Sequence, residues 1–270
     1  MSGRHEDGSA GDANYGVIGT HYTAYRQPDP RIAAYIERAL GDARTVLNIG
    51  AGAGSYEPRD RSVTAVEPSA AMRAQRPADL PVAIDAVAEA LPFADGTFDA
   101  SIATFTVHQW RDLRAGLAEM RRVTCGPAMI LTCDPAVLHR SWLAAYAPDM
   151  IAVEARRYPN IDMLAAGLGP NTQIISVPIP FDCTDGFSEA YYGRPEMLLD
   201  PGARRANSAW SFVAPDAEAA FVARLTCDLE DGVWDARYGA LRHQSAFDGS
   251  LRLIAGSHLA PVGRMVGKGF

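Results

Sequence analysis

Lysine is almost absent from this sequence. Of the 25 basic residues only Lys268 is a lysine, and it stands close to the C-terminal end of the sequence. Several enzyme classes need a lysine inside the fold: phosphate-loop nucleotide hydrolases, Schiff-base enzymes and dehydrogenases with a Tyr-x-x-x-Lys pair. The composition therefore argues against all three classes.

Paired cysteines and long apolar runs are also lacking. The four cysteines show no C-x-x-C pattern and no metal-like spacing with the six histidines. Free thiols in a reducing compartment, and no metal site, are therefore expected. No stretch approaches the 18 or so apolar residues of a membrane span, and residues 1 to 14 lack the apolar segment of a signal peptide. We expect a cytoplasmic protein without a membrane partner.

Positive charge is scarce as well. The formal net charge is −7 and the arginines do not cluster, which argues against a nucleic-acid partner because phosphate binding needs a basic surface. Nothing in the sequence indicates an oligomeric state. With 270 residues, 48% of them hydrophobic, the chain can form one large core with elaborations.

Short apolar segments alternate with helical patterns from residue 30 to 133. The segments "RTVLNIG", "SVTAVEP", "PVAID", "TFDASIATF" and "PAMILTC" have strand character, and "PDPRIAAYIERALG" and "RDLRAGLAEMRRV" are amphipathic helices. Some 12 residues separate the first two strands, so any helix between them is limited to one or two turns. The alternation predicts an α/β fold: a Rossmann-like parallel sheet with helices on both faces.

Beyond Cys133 this alternation ends. We predict a disordered leader over residues 1–14, a single domain over 15–256 and a tail over 257–270. Mostly helical insertions at about 134–170 and 187–247 would form a cap, because their apolar faces need a surface to cover. "TQIISVPIPF" is a sixth strand in this prediction, and "SLRLIAG" is an antiparallel last strand.

The stretch "VLNIGAGAGSYE" places Gly50, Gly52 and Gly54 directly after the first strand. Ser55 stands where a dinucleotide fingerprint has its third glycine, so the motif alone is weak, and a purely structural turn is the alternative. Glu67 follows at the end of the second strand, where a carboxylate can accept hydrogen bonds from two ribose hydroxyls. The pair of features indicates a nucleoside ligand.

These segments resemble the class I S-adenosylmethionine-dependent methyltransferases, and most closely the small-molecule group related to the ubiquinone-biosynthesis methyltransferases. "VLNIGAGAG" resembles their first motif, "VTAVEPSAAM" the second, "VAEALPFADGTFDA" the third, and "FTVHQW" with "DLRAGLAEMRRV" the segment after the fourth strand. The resemblance covers roughly residues 22 to 133 and implies S-adenosyl-L-methionine as cofactor.

The resemblance also implies a set of cofactor contacts. Glu67 would hold the ribose, Met72 would pack on the adenine, and Asp85 or Glu89 would replace the aspartate that relatives often carry at Val87. Arg26 would pair with the cofactor carboxylate, or else be a surface arginine packed on Tyr22. The full set is Tyr22, Arg26, Asn48, Gly50, Ala51, Gly52, Gly54, Glu67, Pro68, Met72, Val87, Ala88, Glu89 and Thr104.

His108, just past the fourth predicted strand, is the candidate catalytic residue. A histidine suits a general base, and the alternative is that it only orients the loop. We expect metal-independent methylation of a small, partly apolar acceptor, most simply at oxygen, with carbon and nitrogen open. Some of the aromatic residues should line the acceptor pocket, the candidates being Trp110, Trp142, Tyr146, Tyr191, Tyr192 and Trp210. The rivals are a protein that keeps the cofactor pocket without methylating and, less strongly, an NAD-dependent oxidoreductase.

Overall fold

A six-stranded sheet forms the centre of the molecule. The computed structural model describes residues 11–14 and 22–257 of the chain. Its strands are β1 (Thr45–Ile49), β2 (Ser62–Val66), β3 (Ala100–Thr104), β4 (Ala128–Cys133), β5 (Thr172–Ser176), β6 (Ile179–Pro180), β7 (Ala246–Phe247) and β8 (Leu251–Gly256). The sheet order is β2-β1-β3-β4-β8-β5, and β6 pairs with β7 separately.

Strand directions agree with the predicted fold. β1 to β4 pair in parallel, and β8 runs antiparallel to both of its neighbours, β4 and β5. The Rossmann-like sheet with an antiparallel last strand is therefore confirmed. Because the first four strands are parallel, their carboxyl ends meet at one edge, where open α/β sheets bind ligands.

Two local predictions differ from the structure. The segment 81–85 contributes only a single bridge, from Ile84 to Val66, rather than a strand. Val82 is 91% exposed and Ile84 is 40% exposed, so little apolar packing stabilises a longer strand here. The connection between β1 and β2 consists of turns and contains no helix.

Helices cover both faces of the sheet and build the cap. The α-helices are α1 (Tyr22–Tyr25), α2 (Pro30–Leu40), α3 (Ala70–Arg73), α4 (Leu113–Arg122), α5 (Leu143–Tyr146), α6 (Pro148–Arg157), α7 (Ile161–Leu168), α8 (Pro201–Arg205), α9 (Pro215–Glu230) and α10 (Val233–Tyr238). Single 3-10 turns are Val107–Gln109, Leu138–Arg140, Ser188–Tyr191, Pro195–Leu199, Ser208–Phe212 and Gly239–His243. None of these described helices is long and apolar enough to cross a membrane.

Three apolar clusters organise the packing. One face of the sheet packs on α2 and on residues around 177–192, and the other packs on α4 and α7. The third cluster holds the cap together, through α5, α6, α8, α9 and α10. Helix α7 was expected in the cap, but Ile161, Leu164 and Leu168 are buried against the sheet with Leu117 of α4. The apolar stripe of α7 is thus part of the sheet covering.

Residues 11–14 lie against the body of the molecule. Ala13 is buried, and Asp12 forms an ion pair with Arg157 at 2.7 Å. This part of the expected leader is therefore ordered by packing and charge. The predictions for residues 1–10 and 258–270 lie outside the described residues.

The position of α7 can be tested by paired substitutions. Leu164→Ala should lower the free energy of unfolding by about 2–5 kcal/mol, because Leu164 is fully buried between α7 and the sheet. Met163→Ala, at a neighbouring residue that is 61% exposed, should change it by less than about 0.5 kcal/mol. Urea denaturation measures both. Equal effects would mean that α7 does not pack on the sheet as described.

Candidate active site

A cleft opens at the carboxyl ends of β1, β2 and β3. Its empty space, including the open mouth, is about 770 Å³. Its walls come from the loops after these strands. The lining residues are Gly11, Tyr22, Gly50, Ala51, Gly52, Ala53, Ser55, Glu67, Pro68, Ser69, Met72, Ala86, Val87, Ala88, Glu89, Thr104, Phe105, Thr106, Gln109 and Trp110.

Each glycine of the loop after β1 has a different neighbour. All three have positive φ, 68° at Gly50, 52° at Gly52 and 97° at Gly54. A Cβ on Gly50 would collide with Thr106 Oγ1 at 2.1 Å, and one on Gly54 with Leu80 Cδ1 at 2.2 Å. A Cβ on Gly52 would meet only Met72 Cε, at 3.4 Å. The bare backbone of Gly52 therefore leaves the space that a ligand needs in the cleft.

The Glu67 carboxylate joins two loops of the cleft. One oxygen accepts from the Gly52 N–H and the other from the Ser69 N–H, both at 2.8 Å. Burial raises the pKa of Glu67, and the two backbone N–H groups oppose that rise. Each oxygen keeps a second lone pair, so the carboxylate can still accept from a pair of ribose hydroxyls.

One wall of the cleft, where the resemblance implies the adenine, is built by residues after β2 and after the Ile84 bridge. Met72 and Ala88 are buried there, and Val87 and Glu89 also line the wall. One Glu89 oxygen accepts from the N–H groups of Arg111 and Asp112, at 2.7 Å and 3.2 Å. Asp85, the other proposed replacement, is outside the lining.

Most predicted cofactor contacts come together in this cleft. Those that line it are Tyr22, Gly50, Ala51, Gly52, Glu67, Pro68, Met72, Val87, Ala88, Glu89 and Thr104. Three predicted contacts, Arg26, Asn48 and Gly54, do not line it, and neither does the candidate base His108.

Asn48 lies beneath the glycine loop rather than in the cleft. Its Nδ2 donates to Glu57 Oε1 at 3.0 Å, and Glu57 forms a buried ion pair with Arg76 at 2.9 Å. Arg76 also donates to the Gly52 carbonyl at 3.4 Å. Asn48 thus supports the loop from below, through a buried polar network.

Arg26 is bound to the protein itself. Its Nε donates to Asp185 at 2.5 Å, and Tyr56 donates to the other oxygen of Asp185 at 3.0 Å. The guanidinium also lies 5.3 Å from the ring centroid of Tyr22 and 5.1 Å from that of Phe105. Arg26 is therefore engaged by a carboxylate of the protein and lies outside the lining of the cleft.

A second, polar pocket adjoins the cleft beneath the cap. Tyr22 and Phe105 line both spaces, so the pocket begins where the cleft ends. Its empty space is about 370 Å³. The lining residues are Tyr22, Arg26, Phe105, His108, Glu154, Arg157, Tyr158, Ala206, Asn207, Ser208 and Ala209.

Phe105 occupies the boundary in a strained conformation. Its φ is +51°, which is rare for a residue with a side chain and costs about 1–3 kcal/mol. Its N–H remains bonded to the Leu131 carbonyl at 2.8 Å, so the strand hydrogen bonding holds this geometry. The strain lies at the junction of the two spaces, a common location for functional residues.

His108 and Glu154 face this pocket with unusual proton affinities. Burial, with Arg157 and Arg26 nearby, lowers the pKa of His108 to about 3. The Nδ1 atom of His108 has no hydrogen-bond partner among the described residues. Burial, reinforced by Glu189, raises the pKa of Glu154 to about 7. At neutral pH His108 is therefore an uncharged, weak base, and Glu154 is near its midpoint.

The cap aromatics do not form the expected apolar pocket. Four of them, Trp142, Tyr146, Tyr191 and Trp210, are buried in the cap cluster, and Tyr192 is buried against the sheet. Trp110 lines the cleft instead. The rings of the cap are thus part of its packing, and the pocket beneath the cap is polar.

Several site residues were missed from the sequence. Gln109 and Trp110 belong to the "FTVHQW" segment, and their position beside His108 was the available signal. The Gln109 Nε2 atom is buried without a partner among the described residues, so it can donate to a ligand in the cleft. Nothing in the sequence marked Glu154 as a site residue, because it belongs to an ordinary amphipathic helix.

The cleft fits S-adenosylmethionine. Gly52 leaves room beside the bare loop, Glu67 has free acceptor positions, and Gln109 offers an unused donor. Apolar walls at Met72 and Ala88 suit the flat adenine ring.

Comparisons with known proteins agree with this geometry. Residues 47–128 match the profile of the family described as a methyltransferase domain. A crystal structure from Anabaena variabilis ATCC 29413, described as a methyltransferase from an antibiotic biosynthesis pathway, is 30% identical with a TM-score of 0.80. That match covers 86% of this chain and 98% of the other. A SAM-dependent methyltransferase from Thermotoga maritima shares the fold at 15% identity and a TM-score of 0.52, covering 89% and 94%. No curated protein sequence matches the chain.

Substitution of Glu67 tests its role. Glu67→Ala should weaken binding of S-adenosylhomocysteine by about 1.5–3 kcal/mol, because it removes hydrogen bonds to a charged group. Asp85→Ala is the control, since Asp85 lies near the same edge but outside the cleft lining. Isothermal calorimetry measures both affinities. An unchanged affinity in Glu67→Ala would show that the carboxylate does not contact the ligand.

Gly52 has a matched control in Gly41. Both have nearly the same φ, 52° and 53°, but a Cβ on Gly41 would meet nothing within 4 Å. Valine at either position should cost stability through backbone strain, because both have a positive φ. Gly52→Val should in addition lower S-adenosylhomocysteine affinity by tenfold or more, about 1.4 kcal/mol, whereas Gly41→Val should bind normally. Normal binding by Gly52→Val would mean that no ligand approaches the loop.

Proposed function

The chain belongs to the class I S-adenosylmethionine-dependent methyltransferases, and we propose that it methylates an oxygen atom of a small molecule held in the polar pocket beneath the cap. S-adenosyl-L-methionine is the methyl donor. When bound, it supplies an electrophilic methyl group on a positively charged sulfur.

This proposal rests on two adjoining spaces, the cleft and the polar pocket. The cleft has the groups that suit the donor, and the polar pocket shares Tyr22 and Phe105 with it. An acceptor in the pocket would therefore lie next to the donor, and methyl transfer depends mainly on such proximity in a water-poor site. Glu67, Met72 and Gln109 would hold the donor.

The size and position of the pocket support a small acceptor. Among the described residues, its lining comes from α1 and the segment after it, the segment after β3, α6 and the 3-10 turn Ser208–Phe212, so the space lies beneath the cap. The relative from Anabaena variabilis is described as belonging to antibiotic biosynthesis, which uses small organic substrates. The acidic composition also supports an acceptor other than nucleic acid.

The polar lining supports oxygen as the acceptor atom. Asn207, Ser208 and Tyr158 carry groups that can hydrogen-bond a hydroxyl, and Glu154 can accept a proton. A carbon acceptor would suit an apolar wall better. A nitrogen acceptor remains the alternative, because amines make the same hydrogen bonds.

The chain's own residues position the reactants and exclude water. Tyr22 and Phe105 separate the two spaces, and Ala13 and Asp12 hold residues 11–14 over Gln109 and Arg157. No metal ion is required by this arrangement, and we propose metal-independent transfer. Free thiols at Cys125, Cys133, Cys183 and Cys227 suit the reducing cytoplasm, where we expect the enzyme to act.

A transfer assay tests the function. With tritiated S-adenosylmethionine and a panel of phenols, carboxylic acids and amines, we expect label in a small-molecule product. Ala206→Leu should raise KM for the acceptor at least about tenfold without changing S-adenosylhomocysteine affinity, because Ala206 is buried in the pocket wall. Ala236→Leu, on the exposed side of α10, is the control. Donor binding without transfer to any acceptor would favour a protein that keeps the fold but does not methylate.

A further inference from the structure

Glu154 differs from the other buried carboxylates. It lies on α6 with 8% of its surface exposed, and it lines the polar pocket. Its one hydrogen bond among the described residues comes from Ser188 Oγ at a long 3.5 Å. Four other buried carboxylates each accept two shorter bonds: Glu57 from Asn48 and Arg76, Glu67 from Gly52 and Ser69, Asp185 from Arg26 and Tyr56, and Glu189, through one oxygen only, from the N–H and hydroxyl of Ser250.

Charged groups surround Glu154 without neutralising it. Arg157 stands on the same helix and Arg26 enters from the segment after α1, and both favour the ionised form. Glu189, from the 3-10 turn Ser188–Tyr191, opposes it. Within the described part of the chain, no cationic group lies within ion-pair distance of Glu154, since Arg26 pairs with Asp185 and Arg157 with Asp12. His108, Tyr158 and Cys133, the other titratable groups here, are uncharged at neutral pH.

We propose that Glu154 is the general base of the reaction and that the acceptor is a single-ring phenol. This inference rests on the proposed function. Glu154 has unused acceptor positions that face an enclosed space next to the donor cleft. His108 shares the pocket, but its proton affinity is too low for the same role.

The chemistry of the pocket narrows the acceptor class. A carboxylic acid is already ionised at neutral pH and needs no base, and an aliphatic alcohol is too weak an acid for a carboxylate to assist well. A phenol, with a pKa of about 10 as in tyrosine, lies between these cases. The rings of Tyr22, Phe105, His108 and Tyr158 line the pocket and supply flat walls for an aromatic ring.

The step balances without another reactant. The phenolic proton passes to a Glu154 oxygen, and the phenol oxygen forms a bond to the methyl carbon. The carbon–sulfur bond breaks with its electron pair remaining on sulfur, which becomes a neutral thioether. The proton leaves Glu154 to solvent when the product is released.

The test uses Glu154→Gln with a series of ring-substituted phenols, from unsubstituted phenol to 4-nitrophenol. We expect a loss of about 10²- to 10⁴-fold in kcat for the least acidic phenol, because glutamine cannot accept the proton. The loss should shrink as the phenol becomes more acidic, since an ionised phenol needs no base. For unsubstituted phenol the wild-type kcat should rise with pH through about 7, because the base acts in its ionised form, and the variant should lack this rise because the phenol itself stays protonated until about pH 10.

Two measurements separate this role from a structural one. Calorimetry should give wild-type affinity for S-adenosylhomocysteine in Glu154→Gln. Infrared difference titration of the protein should show a protonated carboxyl band that disappears above about pH 7 and is absent from the variant. Glu154→Asp keeps a carboxylate, so it should retain a pH-dependent kcat at a reduced rate, even if the glutamine variant folds poorly.

Failure of this inference is distinguishable from failure of the proposed function. Transfer that is equal in the wild type and Glu154→Gln would overturn the base role alone. Transfer to carboxylic acids or amines but to no phenol would overturn the acceptor class. A pH profile flattened by His108→Gln but not by Glu154→Gln would assign the base to His108. Absence of transfer to any acceptor would overturn both proposals.

Discussion

The hydrogen bonds to Glu67 are the constraint on which the donor cleft depends. This one carboxylate, at the end of β2, accepts from the Gly52 N–H after β1 and from the Ser69 N–H before α3. Two loops that are separate in sequence are thereby held in one geometry. Backbone donors offset part of the cost of burying the charge, and the remaining lone pairs face the cleft. Under the proposed function, structure and ligand recognition use the same side chain.

A second carboxylate, Asp185, organises the acceptor side. It binds both Arg26 from the segment after α1 and Tyr56 from the end of the glycine loop. Because Arg26 and Arg157 are each paired with an aspartate, their charges are largely compensated before any ligand enters. The pocket is thus polar without a strong net field, and Glu154 is the one carboxylate among its described lining residues.

Polar support beneath the loop explains another departure from expectation. Asn48 follows the apolar residues of β1, and its position in the motif predicted contact with the cofactor. In the structure a buried relay from Asn48 through Glu57 to Arg76 stabilises the loop from the opposite side. The sequence pattern located this residue correctly near the loop, but it could not distinguish a ligand contact from a supporting one.

The sequence by itself determined the parallel sheet, the glycine loop and Glu67, because each depends on a local signal. Strand periodicity indicates the sheet, the glycines mark backbone with positive φ, and Glu67 stands where the second strand ends. Tertiary structure alone decided the acceptor pocket. Its residues come from the segment before α2, the end of β3, α6 and the turn at 208–212, which have no common pattern along the chain. Whether a cap aromatic is core or lining, and whether Glu154 is paired or free, depends on how distant helices pack. Such packing is a property of the three-dimensional arrangement and leaves no periodic trace in the sequence.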